Sequence, residues 1–244
     1  VLDPPRGLDI VNELVGIPVP IRGAETLLFG GLRPSSDDSV VVNLSGAAGT
    51  GKTSVALAMA ASLSAYGTRT YYITTEEAEG DLRARLKSLI PAYLRDLSIF
   101  RPRIDEWFRV ADLRQLKAGD EGGSLGPGLA KHLQALSDTV ERARKDLERR
   151  LGGKDTMPAV CPLLVVIDSV YGLTEGREPE ELRLLAEFIE KCRRVRAVVL
   201  VLSGEELPRH SRLSYMVDVL IKLNYRGTED EAVRPERVLQ LAKT

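Results

Sequence analysis

The chain has 244 residues, 43% of them apolar and 28% charged. That is enough apolar material for one sizeable core, or a core plus an elaborate insertion, and too regular a pattern for a collagen, a mucin or a wholly disordered tail. Lys plus Arg number 34 and Asp plus Glu 35, a net charge of −1, which excludes a global basic field for wrapping nucleic acid while leaving room for a local patch. No stretch of about 18 consecutive apolar residues marks a membrane span, and no basic-then-apolar leader reads as a secretory signal. Cys161 and Cys192 lack metal-type spacing; with the missing signal they predict a reduced, cytoplasmic protein. The chain starts without Met and ends at Lys243-Thr244, so it reads as a piece trimmed from a longer protein.

The first forty residues are turn-rich, with Asp3-Pro4-Pro5, Gly16-Ile17-Pro18, Gly30-Gly31 and the run from Pro34 to Ser39. Val40 to Leu44 is a short β-branched run and predicts a buried strand. Gly46 to Gly51 forms a loop, and from Lys52 the text becomes apolar nearly all round, which predicts a buried helix stopped at Gly67. Thr70 to Thr75 predicts a second strand, ended by Glu76-Glu77, with a helix over Asp81 to Leu89. Leu97 to Phe100 is a candidate third strand. Leu163 to Ile167 is a continuous apolar strand ending at Asp168; Pro179 to Val195 is an amphipathic helix; Ala197 to Leu202 is another buried strand ending at Ser203. Val217 to Leu223 and Arg237 to Leu241 are expected to finish the sheet as antiparallel or edge strands. Strands alternating with helices predict an α/β fold with a mostly parallel central sheet and right-handed crossovers. Residues 101–159 break this rhythm: five glycines between Gly119 and Gly128 precede a long helical pattern from Leu129 to Leu151. The expected organisation is one domain over 1–244 with a helical insertion at about 101–159.

Gly46-Ala47-Ala48-Gly49-Thr50-Gly51-Lys52-Thr53 matches the phosphate-loop pattern G-x-x-x-x-G-K-[ST] in full, between an apolar strand and a helix start, as that motif requires. Glycines let several backbone N–H groups point inward, and the helix N-terminus adds partial positive charge. Lys52 is expected to bridge the β- and γ-phosphates of ATP, and the Thr53 hydroxyl to ligate Mg²⁺; Ser54, next on the helix, completes the cofactor-binding run. Mg²⁺ also needs a carboxylate at the C-terminal edge of the sheet. Asp168 ends the most apolar strand and fits that place. Hydrolysis needs a group to orient the attacking water, and Glu76 and Glu77 stand at the end of the strand after the first helix. Glu76 is the expected water-polarising base and Glu77 the second carboxylate. Ser203 is a candidate γ-phosphate sensor or simply a strand-end turn.

These segments together resemble the KaiC-like branch of the RecA superfamily of ATPases. Gly16-Ile17-Pro18 through Gly30-Gly31-Leu32 is similar to that branch's lead-in, Leu44 to Thr53 to its phosphate loop, Tyr72 to Glu77 to its double glutamate, Val166 to Leu173 to its Walker B segment, and Leu213 to Leu223 to its late strand stretch. The resemblance implies a RecA-type core, Mg²⁺-dependent ATP hydrolysis, and a homo-oligomer, a hexamer among the candidate sizes, with ATP between subunits and a cation supplied in trans from a terminal K-x-R segment. Here Lys243 alone fits that segment, and residues 101–159 depart from the family.

Outside the site, the helix from Leu129 to Leu151 reads as an amphipathic helix folded on its own core, with a protein-partner or self-association seam as the sharper alternative. Nucleic acid is a partner the net charge does not support. Arg209, His210 and Arg212 read as a solvated loop, His132 and His210 lack metal-ligand company, and Trp107 with Phe108 is expected to anchor the insertion. The sequence thus predicts an ATPase that drives or gates a partner. An ATP-gated assembly scaffold with little turnover and a DNA-dependent recombinase-like ATPase are the alternatives.

Overall fold

A computed structural model describes residues 39–65, 68–93, 101–114, 126–150, 163–174, 179–204, 212–226 and 236–243. In chain order these form β1 (Val41–Ser45), α1 (Lys52–Ala65), β2 (Arg69–Thr74), α2 (Glu79–Tyr93), α3 (Arg101–Trp107), β3 (Phe108–Asp112), α4 (Gly126–Arg150), β4 (Leu163–Asp168), α5 (Val170–Thr174), α6 (Pro179–Arg194), β5 (Val198–Ser203), α7 (Arg212–Met216), β6 (Val219–Arg226) and β7 (Glu236–Lys243). The sheet order is β3-β2-β4-β5-β1-β6-β7. The first six strands by that order are mutually parallel, and β7 pairs antiparallel with β6 at the edge.

The central strands are buried along their whole length, because helices cover both faces; that is why they read as unbroken apolar runs rather than alternating ones. Successive side chains leave a strand on opposite faces, and the two core clusters follow this parity. Val42, Leu44, Tyr72, Leu164, Val166, Leu200 and Leu202 pack with α1, Leu82 and Leu86 of α2 and Ile104 of α3. Val41, Ile73, Val165, Ile167, Val199 and Val201 pack with Leu129, Leu133, Val140, Ala143 and Leu147 of α4 and with Leu185, Phe188, Ile189 and Cys192 of α6. The alanines of α1 (Ala56, Ala58, Ala60, Ala61, Ala65) are all buried; their small side chains let the helix lie close to the sheet at no cost in helix propensity. The end of α6 is closed by Ala197 N donating to Cys192 O (3.0 Å), with Arg196 left-handed at φ 58°.

Two expectations change and one is met. The edge strand beside β2 is β3, inside the stretch read as an insertion, and Phe108 is a fully buried member of the sheet core; the candidate at Leu97–Phe100 lies outside the described residues, as do Gly67, the lead-in before residue 39, and Arg209 and His210. β3 escapes detection because an edge strand is covered less completely: its four residues after Phe108 are exposed or half-buried, so it shows no apolar run. β6 is an interior strand parallel to β1, and only β7 is antiparallel; period-two patterning carries no strand direction. Finally, the apolar seam of α4 is occupied within the chain, against β4, β5 and α6, so a partner approaching α4 would meet its charged face.

Candidate functional site at the C-terminal rim of the sheet

The phosphate loop leaves β1 at Ser45 and is tied to the neighbouring strand by Gly46 N donating to Ser203 O (3.3 Å). Gly46 has φ 154°, and a Cβ there would lie 2.3 Å from Leu223 O of β6. Only glycine fits, so the backbone of β6 forms one wall of the loop. Gly49 and Gly51 take φ of 80° and 96°, conformations that turn the intervening amides toward the loop interior. Thr50 pins the bend, its Oγ1 donating to Ala47 O (2.8 Å). Val55 N donates to Gly51 O (3.0 Å) as α1 begins, so the helix N-terminus and its partial positive charge face this cradle. Lys52 Nζ donates to Gly46 O (2.7 Å) and Ala47 O (3.0 Å). Ala47, Ala48 and Gly49 are exposed, while Gly51 to Val55, Ser54 included, are half-buried.

Thr53 and Asp168, 115 residues apart, meet: Thr53 Oγ1 donates to Asp168 Oδ2 at 2.9 Å. The same oxygen accepts from Tyr72 Oη at 2.6 Å. Tyr72 stands on β2 opposite Val166, two residues before Asp168 on the same face of β4, a diagonal neighbour across the ladder. Burial pushes the Asp168 carboxyl above the usual range, and the two hydroxyl donors pull it back. The Tyr72 phenol is held far above its ordinary value by burial and by the carboxylate it faces, so it stays a donor. Burial lowers Lys52, opposed by the negative charges of Glu76 and Asp168.

Beyond the ladder, β2 and β4 are laced by Thr75. Its N donates to Asp168 O (2.8 Å), and Ser169 N donates to its Oγ1 (3.2 Å). The lacing sets Glu76 beside Ser169, whose Oγ donates to Glu76 Oε1 at 2.5 Å; the Asp168–Ser169 peptide is cis. Glu76 is otherwise exposed. Glu77 turns away to Arg85 of α2 (2.8 Å); burial raises its carboxyl, and Arg85 opposes that rise. Thr74 Oγ1 accepts from Glu77 N (3.1 Å), fixing the turn that separates the two glutamates.

Lys52, Thr53, Asp168 and Glu76 therefore share one rim, with Glu77 adjacent but ion-paired. Ser203 is fully buried and donates to Asn43 Oδ1 (3.0 Å). His132 sits on α4 against Gly128 O. Tyr72, Ser169 and Arg85 were not singled out by sequence reasoning. A tyrosine inside a strand that must be buried is the one usable signal, since a buried phenol requires a partner. Among the described residues no group of three His, Cys, Asp or Glu side chains could hold a metal. The fit is instead to a hard cation taking few protein ligands, one hydroxyl and one carboxylate, beside phosphate oxygens.

The fold and the phosphate loop define an α/β P-loop domain. The chain belongs to the AAA domain family, whose sequence profile matches residues 28–203. Among solved structures it resembles a KaiC-like protein from the hyperthermophilic archaeon Pyrococcus horikoshii OT3, with 17% identity, a TM-score of 0.63, and coverage of 93% of this chain and 88% of that one. No curated protein matches the sequence. Among the described residues no helix is long and apolar enough to cross a membrane.

Proposed function

We propose that this chain binds ATP with Mg²⁺ at the C-terminal rim and hydrolyses it, as one ATPase domain working in the cytoplasm as a homo-oligomer that drives or gates a partner. One observation supports it above the others: Thr53 and Asp168 share a hydrogen bond beside Lys52, with Glu76 on the next residue along. In this reading Lys52 exchanges its two loop carbonyls for β- and γ-phosphate oxygens, and the inward amides of Gly46 to Thr53 hold the rest of the triphosphate. Thr53 and Asp168 would hold Mg²⁺, which when bound neutralises phosphate charge. Glu76 accepts the proton of the water that attacks the γ-phosphorus; the bond to the β,γ-bridging oxygen breaks, and ADP and phosphate leave. Ser169 holds Glu76 in place for that task. Catalysis here is positioning and charge stabilisation rather than covalent chemistry.

The test is Mg²⁺-dependent phosphate release from the wild type and Glu76→Gln, with ATP affinity measured in parallel. The expected result is a loss of about 10²–10⁴-fold in turnover at near-normal affinity. Wild-type turnover in Glu76→Gln removes the base assignment. ATP-dependent mass growth with negligible turnover in the wild type would favour an assembly scaffold.

A further inference from the structure

At the opposite rim, where β2 and β3 begin, Arg69, Tyr71, Glu106, Trp107 and Arg109 line a cavity of about 210 Å³. The parallel register sets Tyr71 beside Arg109, and the residues preceding that pair are Arg69 and, one step back from Phe108, Trp107. The Arg69 guanidinium lies 5.0 Å from the Trp107 ring centre and is anchored by Asp146 of α4 (2.6 Å). It is thus fixed by cation–π stacking and by an ion pair, which removes much of the ordering cost of receiving an anion. Arg109 is exposed and has no ion pair among the described residues. Arg142 of α4 adds to the positive field at Tyr71, and burial raises the Tyr71 phenol against the pull of these arginines, so its hydroxyl keeps its proton. Two arginines and one carboxylate, Glu106, line the cavity, and Asp146 behind it is paired with Arg69 and Arg149. The stacked pair alone would be a brace between α4 and the sheet, and the Tyr71 hydroxyl accepts a hydrogen bond from Arg69; Arg109 stands outside that brace.

We propose that this cavity is a second, separate anion site that takes a compact phosphate monoester, its oxyanion received by Arg109, Arg69 and the Tyr71 hydroxyl. Two guanidinium forks and a phenol supply more donors than one carboxylate can use and match a phosphate's three free oxygens. The volume lies below the roughly 300 Å³ at which sites for drug-sized ligands begin, so the organic part is a short carbon frame. β2 runs five residue steps from Arg69 to Thr74, about 16 Å of strand, which separates this cavity from the phosphate loop.

Trp107 is the chain's single tryptophan, so its emission reads this cavity directly. Titration of the 244-residue chain with glycerol 3-phosphate should give a saturable change in that emission. Arg109→Ala should weaken the apparent affinity at least tenfold, and Tyr71→Phe a few-fold, with unchanged melting temperatures. Lys52→Ala should leave the response intact, which separates this site from the one at the other rim. Flat emission, loss of the response in Lys52→Ala, an unaffected Arg109→Ala, or an equal response to succinate would each overturn the proposal. Inorganic phosphate giving the same saturable change would support the oxyanion contacts, and single-stranded DNA binding where glycerol 3-phosphate does not would overturn the small-ligand assignment.

Discussion

The two rims of one sheet carry opposite chemistry. At the C-terminal rim two carboxylates, Glu76 and Asp168, flank one lysine and are restrained by neutral hydroxyls, with Glu77 beside them paired to Arg85. At the N-terminal rim of β2 and β3, two arginines line the cavity with one carboxylate, and Arg69 is backed by the Trp107 ring. A parallel sheet makes such a division natural, because every strand of the parallel set presents the same end to the same rim. The acid-rich rim sits under the N-terminus of α1, whose partial charge suits phosphate. The arginine-rich rim has to supply its attraction from side chains alone.

The sharpest way to break this contrast is Lys52→Ala. It should cost about 10²–10³-fold or more in turnover and abolish nucleotide binding in calorimetry, while the Trp107 response to glycerol 3-phosphate persists. Gly46→Ala comes next: a methyl 2.3 Å from Leu223 O forces the loop away from β6, with a loss of about 1–3 kcal/mol in thermal or urea unfolding and weaker ATP binding. Tyr72→Phe should act more gently, costing about 0.5–1.5 kcal/mol of stability. Its pH signature is more telling. The Tyr72 hydroxyl holds the Asp168 carboxyl down; without it that carboxyl rises further, so the acidic limb of the activity profile shifts toward neutral pH.

The smallest effect, and the most diagnostic, is on the resting fold. Burial raises Asp168 in the folded state, so the native chain holds more protons than the unfolded one in the window between the two values. Stability contributed by this group is therefore lost as pH rises through that window. Asp168→Asn should remove the charge while keeping an acceptor for Thr53 and Tyr72, raising the melting temperature slightly at neutral pH and flattening its dependence on pH. A lower melting temperature would mean that the carboxylate stabilises the site rather than straining it. Such a trade of stability for activity is ordinary at sites built to bind something charged.

The C-terminal rim was legible because its residues are contiguous or mark strand ends: Gly46 to Thr53 form one loop, and Asp168 and Glu76 follow apolar runs. The contacts that orient them were not. Tyr72–Asp168, Thr75–Ser169 and Ser169–Glu76 depend on which residues of β2 and β4 lie opposite one another, and register is a property of the folded sheet. The arginine-rich rim was hidden for the same reason. Arg69, Trp107 and Asp146 are spread over β2, α3 and α4 and become neighbours only through pairing and packing. Edge strand β3 was missed because partial cover leaves a mixed pattern that also suits a loop. The direction of β6 had no sequence signal at all.

The phosphate loop rides on β1 and the acid group on β2 and β4, and β5 stands between them. Adjacent strands lie about 4.8 Å apart, so the backbone ladder spaces the two halves of the site like the rungs of a ruler. Side-chain substitutions can retune either half, but the interval between them is set by the count of intervening strands and can be changed only by bending or twisting the sheet itself.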